Sequence, residues 1–226
     1  MDRIRSLGMA LLHFCLEHRD DIEYKSDISH TYHNFWVDPL WQIKQRVSVG
    51  TDRYVDQCNC FGGRASYLIF LSFSLLLAWI AQEVKLIKNL KTYIDDNGSF
   101  ACIGDVMYYP TYDSYYPSDQ TKLLLLWDEL NIPHTKKKQV YRSIVPYVGF
   151  NMDPNAMTIS LSGDRQAELI ARVRDFSRIG KHRLLLECQQ LAGHINWSLP
   201  VWLLLRPCLL AVYAKIAGKT KPFAGI

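Results

Sequence analysis

Apolar side chains recur near the start of the chain as Ile4, Leu7, Leu11, Leu12 and Cys15, the spacing of one helical face, and predict a helix over 4–18. Asp20-Asp21 closes it, and the alternation over 22–27 predicts a short strand. Residues 47–55 read as a hairpin with its turn near Gly50, and Gly62-Gly63 breaks the chain before a long apolar helix at about 65–90. Residues 91–95 predict a strand, Asn97-Gly98 a hairpin turn, and 99–103 the return strand. A tyrosine-rich loop follows, with Tyr108, Tyr109, Tyr112, Tyr115 and Tyr116 around Pro110 and Pro117. Ser118 opens a helix through Leu130, with its own hydroxyl as the expected cap. Residues 141–152 predict one strand containing Pro146 and Gly149, and 164–217 predict two or three amphipathic helices with borders near Gly163, Gly180 and Pro200.

From 22 to 152 the core order is strand, helix, strand, strand, helix, strand, with the 47–55 hairpin inserted after the first strand. The β-α-β-β-α-β order predicts an α+β, ferredoxin-like unit: an antiparallel sheet with helices on one face. The expected organisation is a short helical segment over 1–21, the sheet unit over 22–158 and a helical segment over 159–226.

Composition narrows the class. Apolar residues are 49% and charged residues 21% of the 226, which excludes a disordered or fibrous chain. The net charge of +4 is unevenly spread: 1–163 carries 16 basic and 18 acidic residues, whereas 164–226 carries 10 and 4. An acidic body with a basic C-terminal third suits metal chemistry beside an anionic polymer. Of the six cysteines only Cys58 and Cys60 are close, and a lone C-x-C completes neither a zinc site nor a disulfide scaffold. With no signal-peptide pattern at the start, the expectation is an intracellular protein, cytoplasmic or nuclear and not secreted.

Residues 65–82 carry no charge, at the lower limit of a membrane span, but include Ser66, Ser72, Ser74 and Gln82 and are flanked by Arg64 and Glu83. A buried helix is the expectation and a membrane helix the alternative. His30 and His33 lack a second pair of ligands and read as ordinary surface or core histidines.

Tyr93-Ile94-Asp95-Asp96 places two acids at a hairpin, and Asp27 ends the first strand. Like charges repel unless a cation lies between them. In the expected sheet the first and third strands are central neighbours, so Asp27 meets Asp95 at one edge. Such carboxylates suit Mg²⁺, and two ions can clamp the oxygens of a phosphoryl transfer.

These residues carry a resemblance. Tyr93-Ile94-Asp95-Asp96 resembles the Y-x-D-D box of reverse transcriptases, and Ser26-Asp27-Ile28-Ser29-His30-Thr31-Tyr32 their first metal-binding motif. Asn59-Cys60-Phe61-Gly62-Gly63-Arg64-Ala65-Ser66 resembles the motif opening the template-gripping helix. Leu130-Asn131-Ile132-Pro133-His134 with Lys136-Lys137-Lys138 resembles the lysine motif, and Tyr147-Val148-Gly149-Phe150 the primer-grip hairpin. The chain is similar, over about 20–215, to the palm and thumb region of fungal-type retrotransposon reverse transcriptases. Only 26 residues precede Asp27, so the resemblance implies a truncated enzyme lacking most of its fingers.

The resemblance implies an RNA-directed DNA polymerase with two Mg²⁺ ions, dNTPs and an RNA or DNA primer–template, and points to no particular protein partner. Asp27, Asp95 and Asp96 would be the catalytic metal ligands, Tyr32 would lie under the nucleotide sugar, and Lys138 near the leaving pyrophosphate. Phe61, Gly62, Arg64, Tyr147, Gly149 and Arg172 would touch template or primer. Two other readings stand beside it: a binding module that holds nucleic acid without turnover, and a membrane-associated protein using 65–82. On the enzyme reading membrane association is not expected.

Overall fold

The computed structural model describes residues 4–18 and 21–219, leaving out the side chains of 4–7, 21, 22 and 64. Helix α1 (Ile4–Glu17) follows the apolar spacing, and its expected end at Asp20 lies outside the described residues. Strand β1 (Asp21–Asp27) is followed by a 3₁₀ turn (Thr31–Asn34), the short α2 (Pro39–Gln42) and the hairpin β2 (Arg46–Val49) and β3 (Asp52–Val55). The hairpin turns at Gly50, whose backbone is left-handed, as the sequence predicts.

Helix α3 (Arg64–Trp79) ends in a π-helical turn, Ile80–Val84, six residues before the expected 90. Leu86 takes a left-handed backbone and Ile87 N–H bonds Ala81 O, so the chain turns back toward the sheet. Strands β4 (Lys91–Tyr93) and β5 (Asp96–Cys102) form the next hairpin. Its turn is Ile94-Asp95, not Asn97-Gly98. Asn97 is used inside the strand instead: its side chain accepts from Thr92 Oγ1 at 2.8 Å and donates to Asp95 O at 3.1 Å. Ile94 adopts φ +59°, and its carbonyl accepts from Ser74 Oγ of α3.

Strands β6 (Val106–Tyr109) and β7 (Ser114–Pro117) lead into α4 (Ser118–Glu129). The Ser118 hydroxyl does not cap α4; it donates to Asp105, and Pro117 is the N-cap. The expected strand over 141–152 is three short ones, β8 (Val140–Arg142), β9 (Val145–Tyr147) and β10 (Phe150–Asp153). Val148 and Gly149 both have positive φ, which reverses the chain and ends an extended run. Strand β11 (Thr158–Leu161) neighbours β10, and three helices follow: α5 (Gly163–Phe176), α6 (Leu185–Ser198) and α7 (Arg206–Ile216).

The chain is thus α+β, with antiparallel sheets and seven α-helices among the described residues. It divides into two units, Met1–Val148 with Asp153–Met157, and Gly149–Met152 with Thr158–Ile226.

In the first unit the main sheet has the order β4-β5-β1-β8, with β1 and β5 at its centre. One side chain in two along β1 turns toward α4: Gln120 Nε2 donates to Ser26 Oγ at 3.1 Å, and Tyr24 is fully buried. There Ile28 just after β1, Phe70 and Leu77 of α3, Ala81 of the π-helical turn, and Leu123, Leu124 and Trp127 of α4 build one apolar core. The intervening positions, Glu23, Lys25 and Asp27, belong to the opposite face. In the second unit a separate core joins Leu169, Leu191, Ala192, Ile195 and Leu209 of α5, α6 and α7.

Helix α3 meets half of its expectation. Ser66, Phe70, Ser74, Leu77, Ala78 and Ala81 form a buried stripe, whereas Leu68, Ile69, Leu75, Leu76 and Trp79 are exposed. Ala65–Val84 is long and apolar enough to cross a membrane by length and composition.

Candidate active site

Strand pairing decides where the three aspartates go. Antiparallel register sets Asp27 directly across from Asp96 at the ends of the central strands β1 and β5. Asp95 occupies the adjoining turn, and its carbonyl accepts from Ile28 N–H at 3.3 Å. Tyr93 and Asp96 pair across that turn, so the two-residue loop is held on both sides. The three residues therefore share one end of the sheet, as the sequence predicts.

Each carboxylate already has a partner within the protein. Asp27 Oδ1 takes Lys138 Nζ at 2.6 Å, Asp95 Oδ2 accepts from Thr31 Oγ1 at 2.8 Å, and Asp96 Oδ1 takes Lys25 Nζ at 2.8 Å. Burial pushes the Asp96 carboxyl above its ordinary range, with Lys25 opposing the shift and the charges of Asp95 and Asp27 adding to it. The donor chemistry is that of a hard-cation site. The arrangement is not: two ammonium groups take carboxylate oxygens, and among the described residues no three His, Cys, Asp or Glu side chains converge to hold a metal ion. As arranged, the set does not fit a pair of divalent ions.

Lys25 is the site residue that sequence reasoning missed. Its signal was present: in the alternating 22–27 strand it falls two positions from Asp27, on the same face. Its cross-strand partner is Gly98, which offers no side chain, and the Tyr147 ring fills that space. A Cβ at Gly98 would lie 3.0 Å from Tyr147 Cε2 and 3.1 Å from Tyr24 O, so a larger residue would fit only if the ring gave way by a few tenths of an ångström. Asp96 is the diagonal neighbour, and the lysine stem reaches it directly.

The remaining predicted residues divide by position. Tyr32 lies in the 3₁₀ turn beside the aspartates, its ring edge-on to Phe61 at 4.8 Å and to Phe70 at 5.7 Å. Burial first, and then the charge of Asp95, raises its phenol. Phe61 is 69% exposed, and Gly62 turns the chain with φ +84° before α3 begins at Arg64, whose side chain lies outside the description. Lys138 sits on Asp27. Of its neighbours, Lys136 bonds Tyr112 O and Ser114 Oγ at 2.7 Å each. Tyr147 is buried, and its hydroxyl donates to Lys91 O at 3.1 Å under the β4–β5 hairpin.

A second polar cluster of the first unit was not expected. His134 bonds Asp128 Oδ1 through Nε2 at 3.1 Å and Tyr112 Oη through Nδ1 at 2.6 Å, and Tyr109 Oη donates to Asp128 Oδ2 at 2.6 Å. Burial leads in raising the Tyr112 phenol to about 12, which keeps it a proton donor to the imidazole. The tyrosine-rich stretch is thus a packed hairpin: Tyr109 and Tyr116 are core residues, and Tyr108 and Tyr115 pair on the surface.

In the second unit a Cβ at Gly149 would approach Trp197 to 3.3 Å, and Trp197 stacks on Phe150 with centroids 5.4 Å apart. Arg172 is exposed and bonds Glu168 at 2.9 Å, with Arg165 on the same carboxylate at 3.9 Å. Asp175 gathers Arg183, Lys181 and Arg178 at 2.7, 3.2 and 3.6 Å. Arg183 is a buried brace and not part of a basic surface: it is 3% exposed, and its guanidinium lies over Phe176.

No protein-family model matches the chain, and no curated protein sequence matches it. Solved structures do. The foamy viral protease-reverse transcriptase dRH in complex with double-stranded DNA aligns over 98% of this chain with a TM-score of 0.58 and 16% identity. The foamy viral protease-reverse transcriptase in complex with an RNA/DNA hybrid aligns over 94%, with a TM-score of 0.56 and 17% identity. The chain spans about a third and a quarter of those two chains, 34% and 26%. At this identity the likeness is one of architecture, and the chain has a reverse transcriptase-like fold.

Proposed function

We propose that the first unit is a polymerase palm of the ferredoxin-like type, the second a thumb or connection segment, and that the protein grips a primer–template of RNA or DNA. The observation that carries this reading is the register: Asp27 opposite Asp96, with Asp95 in the turn between β4 and β5, in a chain of reverse transcriptase-like fold. The strand order β4-β5-β1-β8 with α3 and α4 in one core supports the palm assignment. Tyr32 beside Asp95 supports a place for a nucleotide sugar next to the carboxylates. Phe61, Gly62 and Arg64 at the start of α3, and Gly149 and Arg172, are the proposed contacts to nucleic acid, whereas the buried Tyr147 would support the β4–β5 hairpin from beneath. Sparse cysteines support an intracellular location.

Template-directed DNA synthesis from dNTPs is the chemistry that such a carboxylate set serves. Lys25 and Lys138 compete with Mg²⁺ in that reading, since each ammonium group holds one carboxylate oxygen, of Asp96 and of Asp27 respectively. The protein as folded is therefore proposed to bind primer–template and to extend it poorly or not at all. Incubation with primed RNA, dNTPs and Mg²⁺, with Asp95→Asn as the control, tests this. Retention of primed RNA with little extension is expected. Robust extension that vanishes in Asp95→Asn would overturn the poor-turnover reading, and failure to retain nucleic acid would overturn the whole.

A further inference from the structure

We propose that Lys25 is a built-in counter-cation that keeps divalent ions out of the aspartate cluster, an inference that rests on the palm reading above. Three features of the fold carry it. First, Lys25 is anchored. Its backbone lies in β1 and pairs on both sides, with Gly98 of β5 and Val140 of β8, so the residue cannot leave without breaking the sheet. Second, its side chain is aimed. Gly98 leaves the cross-strand position empty of side chain, the Tyr147 ring walls it, and the stem runs diagonally to Asp96 Oδ1 at 2.8 Å. Third, the pair is shielded. The two side chains are 20% and 17% exposed, so water screens their attraction far less than on an open surface.

Lys138 differs in each respect. It stands on the 3₁₀ turn Lys136–Lys138, is 36% exposed, and reaches Asp27 from outside the sheet. A flexible side chain there can swing into solvent, whereas Lys25 has only rotamer changes within a packed face. Of the two ammonium groups Lys25 is the one that persists. A divalent ion approaching Asp95 and Asp96 meets a positive charge already on Asp96, which repels the ion and removes one of its oxygen ligands.

The specific consequence is that removing this charge creates metal affinity. Mn²⁺ is the probe, titrated into the full chain without nucleic acid and followed by the loss of the free-ion paramagnetic signal. The wild type should bind Mn²⁺ weakly, and Lys25→Met at least tenfold more tightly. Lys25→Arg retains the charge and should stay as weak as the wild type. Adding Asp96→Asn to Lys25→Met should abolish the gain. Thermal melting gives a second readout. Lys25→Met leaves a shielded carboxylate unpaired, so its Tm should rise with Mn²⁺ by more than the wild-type Tm does. If Lys25→Met does not fold, Lys25→Gln, which retains a polar end, carries the same expectations. Equal affinity in the wild type and the neutral variants, or tight binding by Lys25→Arg, would overturn the proposal. Retention of primed RNA by the wild type, measured on the same preparation, reports separately on the palm reading.

Discussion

Glu23 shares a face of β1 with Lys25 and Asp27 but is almost completely buried, and its Oε2 has no hydrogen-bond partner. Burial pushes its carboxyl up to about 9, with a backbone bond to Val145 and the charge of Lys25 opposing the shift. The folded protein thus holds a proton that the unfolded chain releases near 4.5. The stabilisation is fully present below pH 4.5 and is lost as the pH rises toward 9, by up to about 1.4 kcal/mol per pH unit. Urea unfolding of the wild type and Glu23→Gln between pH 5 and 9 checks this. The variant, which has no proton to lose, should be the more stable of the two by several kcal/mol near pH 8, and the difference should shrink toward pH 5. Parallel curves for the two proteins would show that Glu23 is charged in the fold.

Helix α3 has two apolar faces in different surroundings. Phe70, fully buried, lies in the core with Leu77, Leu123 and Trp127, whereas Leu68 and Leu76 on the other face are 59% and 53% exposed. Phe70→Ala removes a side chain whose neighbours cannot close the gap and should cost about 3–5 kcal/mol. Leu76→Lys should change stability by no more than about 0.5 kcal/mol, because the lysine stem lies on the surface and its head in water. Chemical denaturation of both variants decides the matter. A comparable loss in Leu76→Lys would mean that the outer face of α3 is covered in the protein as it exists in solution.

At the scale of the whole chain the charges are partitioned, with a net −2 over 1–163 and a net +6 over 164–226. Glu168 and Asp175 temper that excess locally, each holding more than one cation of the 165–183 stretch. Binding to duplex nucleic acid should therefore weaken steeply with salt, log K falling against log salt by about 0.9 for each phosphate neutralised. Glu168→Gln frees Arg172 and Arg165 and should strengthen binding at low salt, whereas Arg172→Ala should weaken it and lower the slope by about one contact. Anisotropy of a labelled duplex over a salt series measures both. Binding indifferent to salt would remove the basic helices from the interface.

Much of this was legible in the residues because it depends on neighbours in the chain. Apolar spacing located α1, the apolar run after Gly62-Gly63 located α3, Ser118 marked the start of α4, alternation located β1, and Gly50 the β2–β3 hairpin, since each rests on local backbone preference and the pattern of burial. The order of the elements was enough to bring Asp27, Asp95 and Asp96 to one end of the central strands, although Asp96 and not the expected Asp95 lies across from Asp27. Local signals misled where a distant partner outbid them. Asn97-Gly98 has turn chemistry, but the Tyr147 ring packs closely against Gly98, Thr92 and Asp95 engage Asn97, and the turn lies at Ile94-Asp95. Ser118 was a cap by composition and became a donor to Asp105, thirteen residues away. Alternation placed Lys25 on the face of Asp27, yet only the register of β1 against β5, with an empty glycine position between, decided that its ammonium would reach Asp96. A side chain's partner is set by strand pairing and packing across the molecule, and those contacts are made between residues that no local pattern connects.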